Sequence, residues 1–458
     1  MKSFFSFAFG CRVNEAEKEA LDKKMIEAGF IFSEENPDIF IINTCAVTHK
    51  AEREARNLIY QIKRKNPKTK IIITGCAATY WQKNKLYNNL PIDLLIDNTN
   101  KEFLVKIIKK RFSKSSTLDR SGREKGGVIS KFLSSNRLLV KIQDGCQRFC
   151  AFCIVPYLRG LPKSRKIEEI IEEINKMCHP ELVSGSNSLE TPKQIRHDNK
   201  IQTSISEVIL TAINTEAFGL DTGESFIDLI EKILEKTKVP RLSFGSIHPW
   251  SITFQFINFY QKILTEERLV NFFHIPIQSG SNTILKLMKR GYKSEEILEK
   301  LYALQKINPL SLLATDVIVG FLGETEREFE ETYRFLEKSP LVKFHIFRFS
   351  KRKNTAAFYM AKSIKEPTED EKKKRAKALA ELSSKKYLKF LEKNVGRTST
   401  ALILNKQENG FFEALLDNQL PILIEKRNDI NPGKIVKVKV ERVKNGRLVG
   451  KIEKNLSS

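Results

Sequence analysis

Hydrophobic and polar positions divide the chain into three regimes. Along residues 1–112, short apolar runs at 4–9, 39–42, 71–73 and 94–96 each precede a stretch of helical periodicity. In the first of these, from about residue 15 to 28, Ala20, Leu21, Met25 and Ala28 lie near one face, and Gly29 is a natural stop. This alternation predicts a parallel sheet with right-handed crossovers. A second alternation fills 137–350, with strands expected at 138–142, 208–211, 241–244, 272–276, 313–319 and 343–348. Helical patterns at 166–177, 225–236, 282–289 and 326–338 fall between them. Six such units predict a partial (β/α)6 barrel, open along one side. After a basic helical stretch at 366–395 the period drops to two, and Asn409-Gly410, Asn431-Pro432-Gly433 and Asn445-Gly446 punctuate short strands. A small β-barrel is expected over 396–458. The fold class is α/β with this all-β appendage.

The intervening segments complete the expected domain plan. Residues 113–136 are basic and rich in Ser and Gly, which is linker composition. Residues 178–206 interrupt the core region 137–365 as a polar insert carrying Cys178 and His179. Lys and Arg exceed Asp and Glu by 79 − 55 = 24, a surplus that favours a polyanionic partner; a lysine-rich composition alone would give the same number. No run of eighteen apolar residues offers a membrane span. The start, with Phe4, Phe5, Phe7, Phe9 and then Cys11, has a lipoprotein flavour, but its apolar part is short and only one positive charge precedes it. Seven cysteines with no disulfide-framework spacing read as metal ligands in a reducing compartment. A cytoplasmic protein is expected.

Cys146, Cys150 and Cys153 are separated by three and then two residues, just after the strand at 138–142. Soft thiolates suit zinc or an iron–sulfur cluster. Three on one loop can hold three corners of a 4Fe–4S cube and leave the fourth iron open to a substrate. Zinc in a structural site wants four ligands, and only Cys178 and His179 stand near enough in sequence to complete one. Three more cysteines, Cys11, Cys45 and Cys76, each follow a strand of the N-terminal sheet. Ligand sites in open parallel sheets form beyond the carboxyl ends of the strands, so a second three-thiolate group is expected there; the alternative is three ordinary buried cysteines.

Taken together, the motifs resemble the methylthiotransferase family of radical S-adenosylmethionine (SAM) enzymes. Phe9-Gly10-Cys11-Arg12-Val13-Asn14, Asn43-Thr44-Cys45-Ala46-Val47-Thr48 and Thr74-Gly75-Cys76-Ala77 look like its N-terminal cysteine motifs. Cys150-Ala151-Phe152-Cys153-Ile154-Val155-Pro156-Tyr157-Leu158-Arg159-Gly160, His274-Ile275-Pro276-Ile277-Gln278-Ser279-Gly280-Ser281 and Thr315-Asp316-Val317-Ile318-Val319-Gly320-Phe321 match its core in the same order. The resemblance implies an N-terminal cluster domain, a radical SAM barrel and a C-terminal TRAM barrel. It implies two 4Fe–4S clusters: one on Cys146, Cys150 and Cys153 that cleaves SAM, and one on Cys11, Cys45 and Cys76 that holds the sulfur. Phe152, Asn214, Gln278, Ser279 and Asp316 would contact SAM. Exposed Lys437 and Lys439 on the last barrel would touch RNA phosphates.

Arg12-Val13-Asn14 looks most like the branch that modifies C2 of N6-threonylcarbamoyladenosine beside the tRNA anticodon. The other branches act on isopentenyladenosine in tRNA or on a ribosomal protein, and a non-catalytic zinc- and RNA-binding protein is the distant alternative. Implied partners are a tRNA anticodon stem-loop, an electron donor such as flavodoxin or ferredoxin, and a sulfur source, with the enzyme a monomer. Four positions depart from the family pattern: Ala212 and Glu216 where glycines are usual, Leu322 for proline and Asn354 for glycine. Those at 212–216 put cofactor contacts there in question.

Overall fold

A computed structural model of the chain describes residues 2–112, 136–178 and 205–453. The basic linker, and most of the polar insert with His179, lie outside the described residues. Cys178 is described; it closes a helix and is buried in the apolar core of the central barrel.

Strands β1 (Ser3–Ala8), β2 (Ile31–Phe32), β3 (Ile39–Thr44), β4 (Lys70–Gly75) and β5 (Leu94–Leu95) form one parallel sheet in the order β2-β1-β3-β4-β5. Nearly every residue of β3 and β4 is buried, as parallel strands covered on both faces require. β2, two residues at the edge, is too short to leave a sequence signal. Helices α1 (Arg12–Glu27), α2 (His49–Lys65), α3 (Cys76–Lys83) and α4 (Leu104–Phe112) follow β1, β3, β4 and β5. α1 begins three residues before the expected start, because Cys11 is its N-cap. Central strands β1, β3 and β4 are adjacent and in register, with Ala8 opposite Asn43 and Asn43 opposite Thr74. Their carboxyl ends therefore make one straight edge.

The second body is the partial barrel. β6 (Arg137–Asp144), β8 (Glu207–Ala212) and β9 (Arg241–Phe244) run parallel, with a short antiparallel β7 (Lys163–Ser164) on the outer edge of β6. β10 (Phe272–His274), β11 (Leu312–Val319) and β12 (Lys343–Arg348) continue the parallel run. Isolated parallel bridges Leu242–Leu269 and Ser246–His274 join the two groups. β12 and β7 form the free edges, as an open barrel demands. Beyond the four helical patterns foreseen, Phe254–Lys262 and Ser294–Ile307 are also helices.

The basic helix is Glu369–Lys393, and it differs from the solvated face that its charge suggests. It packs along β12, burying Leu379 and Leu382 in the barrel core and also Lys372 and Arg375. Those two cations are paired: Lys372 with Glu366 and Glu369, Arg375 with Glu324. Charge patterning alone cannot distinguish a solvated lysine from a neutralised one.

Five antiparallel-rich strands then close a barrel: β13 (Thr398–Glu408), β14 (Phe411–Leu416), β15 (Pro421–Glu425), β16 (Ile435–Lys444) and β17 (Arg447–Ile452). This barrel seals the amino-terminal end of the partial barrel. Arg241 donates to the carbonyls of Leu415 and Leu416 at 2.7 and 2.8 Å, and Gln419 donates to Glu207 at 2.7 Å. Burial pushes the Glu207 carboxyl up, but Arg137 and Arg241 together hold it below the usual carboxylate range. The stability it contributes is in place above its ordinary pKa of about 4.3 and is lost as pH falls through the lower folded value. Arg241→Ala should cost about 3–5 kcal/mol, read as a lower unfolding midpoint. The wild type should lose stability below pH about 4.3 more steeply than Glu207→Gln; equal slopes would contradict the pairing.

Candidate cofactor site

The N-terminal edge delivers three thiols. Cys11 caps α1 just past β1, Cys45 follows β3 and Cys76 opens α3 directly after β4. Gly10 has φ +92°, and a Cβ there would lie 2.6 Å from both Cβ and Sγ of Cys45, so only glycine lets the first loop approach the second thiol. Gly75, at φ +94°, lies against the backbone of Thr44 in the same way. Asparagines of the motifs tie the loops together: Asn14 donates to the carbonyls of Phe9 and Thr44, and Asn43 donates to that of Asn14. Cys11 and Cys45 both feel the charge of Cys76. Burial pushes the Cys45 thiol up to about 12 and raises that of Cys11. Binding of a metal cation would favour their deprotonated forms.

Cys146, Cys150 and Cys153 form the second trio on the loop after β6. Burial drives the Cys153 thiol up to about 12, with Cys150 and Cys146 adding like-charge repulsion. Each trio receives one guanidinium. Arg290 donates to Sγ of Cys150 at 3.3 Å, and Arg159 donates to Sγ of Cys76 at 3.2 Å. Among the described residues, only His274, Asp316 and His345 bring three ligand atoms within 4.8 Å of one another. The soft thiolates of either trio could hold zinc or an iron–sulfur cluster.

The residues expected at SAM are scattered more unevenly. Asn214, just beyond the end of β8, is buried at 1% exposure, and neither its amide nitrogen nor its side-chain oxygen has a hydrogen-bond partner among the described residues. An orphaned carboxamide beside the cysteine loop is what a missing polar ligand would leave. Phe152 stands half-buried, edge-on to Phe321. Gln278 takes φ +74° and exchanges backbone hydrogen bonds with Asp316 and Ile318, and its half-buried side chain makes no hydrogen bond among the described residues. Asp316 is clamped between His274 and His345; burial raises its carboxyl, but the two imidazoles pull it down to about 2. The Ser279 hydroxyl is already engaged within the protein. It bonds Thr332 on the outer helix Glu326–Lys338 at 3.0 Å. A serine within a motif carries no sign of which way it points. Lys437 and Lys439 are exposed on β16 and make no ion pair among the described residues, while Val438 and Val440 point into the small barrel.

Three of the four departures have local explanations, and nothing in the structure explains Ala212. Glu216 forms a two-pronged pair with Arg148, latching the loop between Cys146 and Cys150 to the turn after β8. Asn354 adopts φ +73°, a conformation asparagine tolerates better than most residues. Leu322 is fully buried beside Phe321 and Ala151. Arg148, Arg159 and Arg290 were missed as site residues. Arg148 and Arg159 at least lie within a few residues of the cysteines; Arg290, in a Lys289-Arg290 pair far along the chain, gave no signal.

Comparison with known proteins agrees with this layout. Residues 3–97 match Uncharacterized protein family UPF0004, residues 140–336 the Radical SAM superfamily and residues 392–452 the TRAM domain. The Threonylcarbamoyladenosine tRNA methylthiotransferase MtaB of Aquifex aeolicus is 32% identical, covering 94% of this chain and 98% of that protein. Its Bacillus subtilis namesake is 31% identical over 94% of this chain and 92% of that protein. A tRNA-2-methylthio-N(6)-dimethylallyladenosine synthase of Petrotoga mobilis is 30% identical over 99% of both chains. Among solved structures, the cobalamin-dependent SAM radical enzyme OxsB aligns with 79% of this chain and 55% of that one, at 15% identity and a TM-score of 0.47, too loose a likeness to build on. The two cysteine trios, the partial barrel and the small closing barrel are thus those of a chain that belongs to the radical SAM methylthiotransferase family.

Proposed function

We propose that this enzyme adds a methylthio group to C2 of N6-threonylcarbamoyladenosine at position 37 of tRNA, and that it does so with two 4Fe–4S clusters. The observation that carries the reading is the pairing of two separate thiol trios, one at each body's strand ends, with Arg159 reaching from one cysteine loop to the other trio. Family membership brings SAM and an iron–sulfur cluster as cofactors; reductive cleavage of SAM supplies a radical able to take hydrogen from an unactivated aromatic carbon.

The chain's own residues supply placement. Cys146, Cys150 and Cys153 would hold one cluster with a corner free for SAM, and the buried carboxamide of Asn214 would take up SAM's polar groups. Phe152 would offer its ring to the adenine. Cys11, Cys45 and Cys76 would hold the second cluster and its sulfur close to the first. Arg148, stacked on Trp250 at 4.5 Å and paired with Glu216, fixes the loop between Cys146 and Cys150 against the barrel. The positive surplus, with Lys437 and Lys439 exposed on the small barrel, supports contact with the phosphates of an anticodon stem-loop. The target base would have to be turned out of its stack to enter.

Support for the substrate comes from Arg12-Val13-Asn14 and from the names of the Aquifex and Bacillus relatives. No helix among the described residues is long and apolar enough to cross a membrane. The reading has the enzyme act in the cytoplasm as a monomer, with flavodoxin or ferredoxin as reductant.

Three outcomes test this reading. Cys150→Ala should abolish SAM cleavage, whereas Cys45→Ala should keep cleavage but yield no methylthiolated nucleoside. A Cys45 variant that still makes product would overturn the two-cluster assignment. Asn214→Ala should weaken SAM binding to the reconstituted protein about tenfold, the worth of two hydrogen bonds at about 0.5–1.5 kcal/mol each, without lowering the unfolding midpoint; unchanged affinity would remove Asn214 from the site. Mass spectrometry of nucleosides from tRNA carrying either threonylcarbamoyl- or isopentenyladenosine, treated with the enzyme, should show product from the first alone. Product from the second alone would move the enzyme to the other branch.

A further inference from the structure

Arg159 is the most heavily engaged side chain at the junction of the two bodies. Its side chain is 1% exposed. Nε donates to Sγ of Cys76 at 3.2 Å. One terminal nitrogen donates to Glu17 at 2.7 Å and to both oxygens of Asp144 at 2.9 and 3.1 Å. The other donates to the side-chain oxygen of Asn14 at 2.8 Å and to Glu17 at 3.3 Å. Lys101 and Lys141 also pair with Glu17, and Lys141 with Asp144. Two carboxylates thus face three cations. The network carries one positive charge more than it neutralises, and the unspent donor is aimed at a thiol.

Arg159 also belongs to both bodies at once. It ends the short helix Val155–Arg159, which opens two residues after Cys153. Ile154 and Leu158 of that segment are buried in the core of the N-terminal domain. Asn98 donates both to the Leu158 carbonyl at 3.2 Å and to Sγ of Cys76 at 3.7 Å. A rigid strut therefore leads from the loop of one trio to a ligand of the other. Arg290, at the second trio, differs in kind. Apart from Cys150 it bonds the Pro276 carbonyl and the Tyr292 hydroxyl and stacks on Trp250, all of them neutral.

We propose that Arg159 is a positioning residue that sets the reduction potential of the cluster on Cys11, Cys45 and Cys76, by holding a charged donor on the Cys76 thiolate. The inference rests on the two-cluster reading above. Hydrogen bonds to cluster sulfurs and local net charge are the protein's levers on such potentials. A cation against the thiolate favours the more negative, reduced form, so it raises the potential. Glu17 and Asp144 are needed because a guanidinium of this size would otherwise swing; the bidentate fork fixes its plane.

The test uses the full chain, reconstituted anaerobically with iron and sulfide, in wild type and in Arg159→Gln, Arg159→Lys and the double variant Arg159→Gln with Glu17→Gln. The double variant keeps the network at one positive charge in excess, two lysines against Asp144, so that it loses only the donor on Cys76. Midpoints come from redox titration followed by electron paramagnetic resonance, with a Cys150→Ala background isolating the N-terminal cluster. Loss of the guanidinium should shift that cluster's reduction at least tenfold toward the oxidised form, about 59 mV for a one-electron couple, and Lys should shift it less. The cluster on Cys146, Cys150 and Cys153 should keep its midpoint. A fully loaded variant with an unmoved N-terminal midpoint would overturn the proposal. A wild type carrying about four irons instead of about eight would instead overturn the two-cluster reading on which it stands.

Discussion

The structure depends on a cluster of paired charges where the N-terminal sheet meets the barrel. Glu17 on α1 and Arg159 six residues past Cys153 have buried side chains, and half-buried Asp144 at the end of β6, Lys101 and Lys141 close the ring. Taking such groups out of solvent is costly, and only near-complete pairing offsets it. Burial alone would raise the Glu17 carboxyl, yet Lys101, Arg159 and Lys141 hold it well below the usual range. Such a junction is specific in a way an apolar one is not: a slip of one residue would strand a charge. It fixes the strand ends of the N-terminal sheet beside the cysteine loop of the barrel.

The remaining architecture sorts itself around that junction. Parallel sheets leave loops, helix starts and glycines at their carboxyl ends, and both thiol trios sit there. The amino-terminal end of the barrel is closed by the small β-barrel through Arg241, Arg137, Glu207 and Gln419. Chemistry and closure therefore occupy opposite ends of the same strands. The long helix Glu369–Lys393 covers β12 and crosses to the closing barrel, where Phe390 and Leu391 enter its core. Exposed Lys437 and Lys439 are left on the outer face of the small barrel.

Much of this could be read from the residues. Strand–helix alternation marks both α/β bodies because each strand is short, apolar and followed by a period near 3.6. The trios were legible because Cys11, Cys45 and Cys76 follow strands that turn out to be neighbours in register. What escaped was whatever depends on direction or pairing. Ser279 lies in a motif yet faces the outer helix; Lys372 and Arg375 look solvated yet are neutralised and buried. Glu216 looks like a lost glycine until Arg148 is seen against it, and Asn354 stands for glycine because it can adopt the same backbone. Arg290 reaches Cys150 across 140 positions, a contact no local pattern encodes.

Anomalous diffraction at the iron edge, from crystals of the anaerobically reconstituted chain, bears most directly on the central claim. The account expects two separate iron peaks, one amid Cys11, Cys45 and Cys76 and one amid Cys146, Cys150 and Cys153, each with one iron not bound by a side chain. A single peak, or a trio completed by a fourth protein ligand, would contradict it.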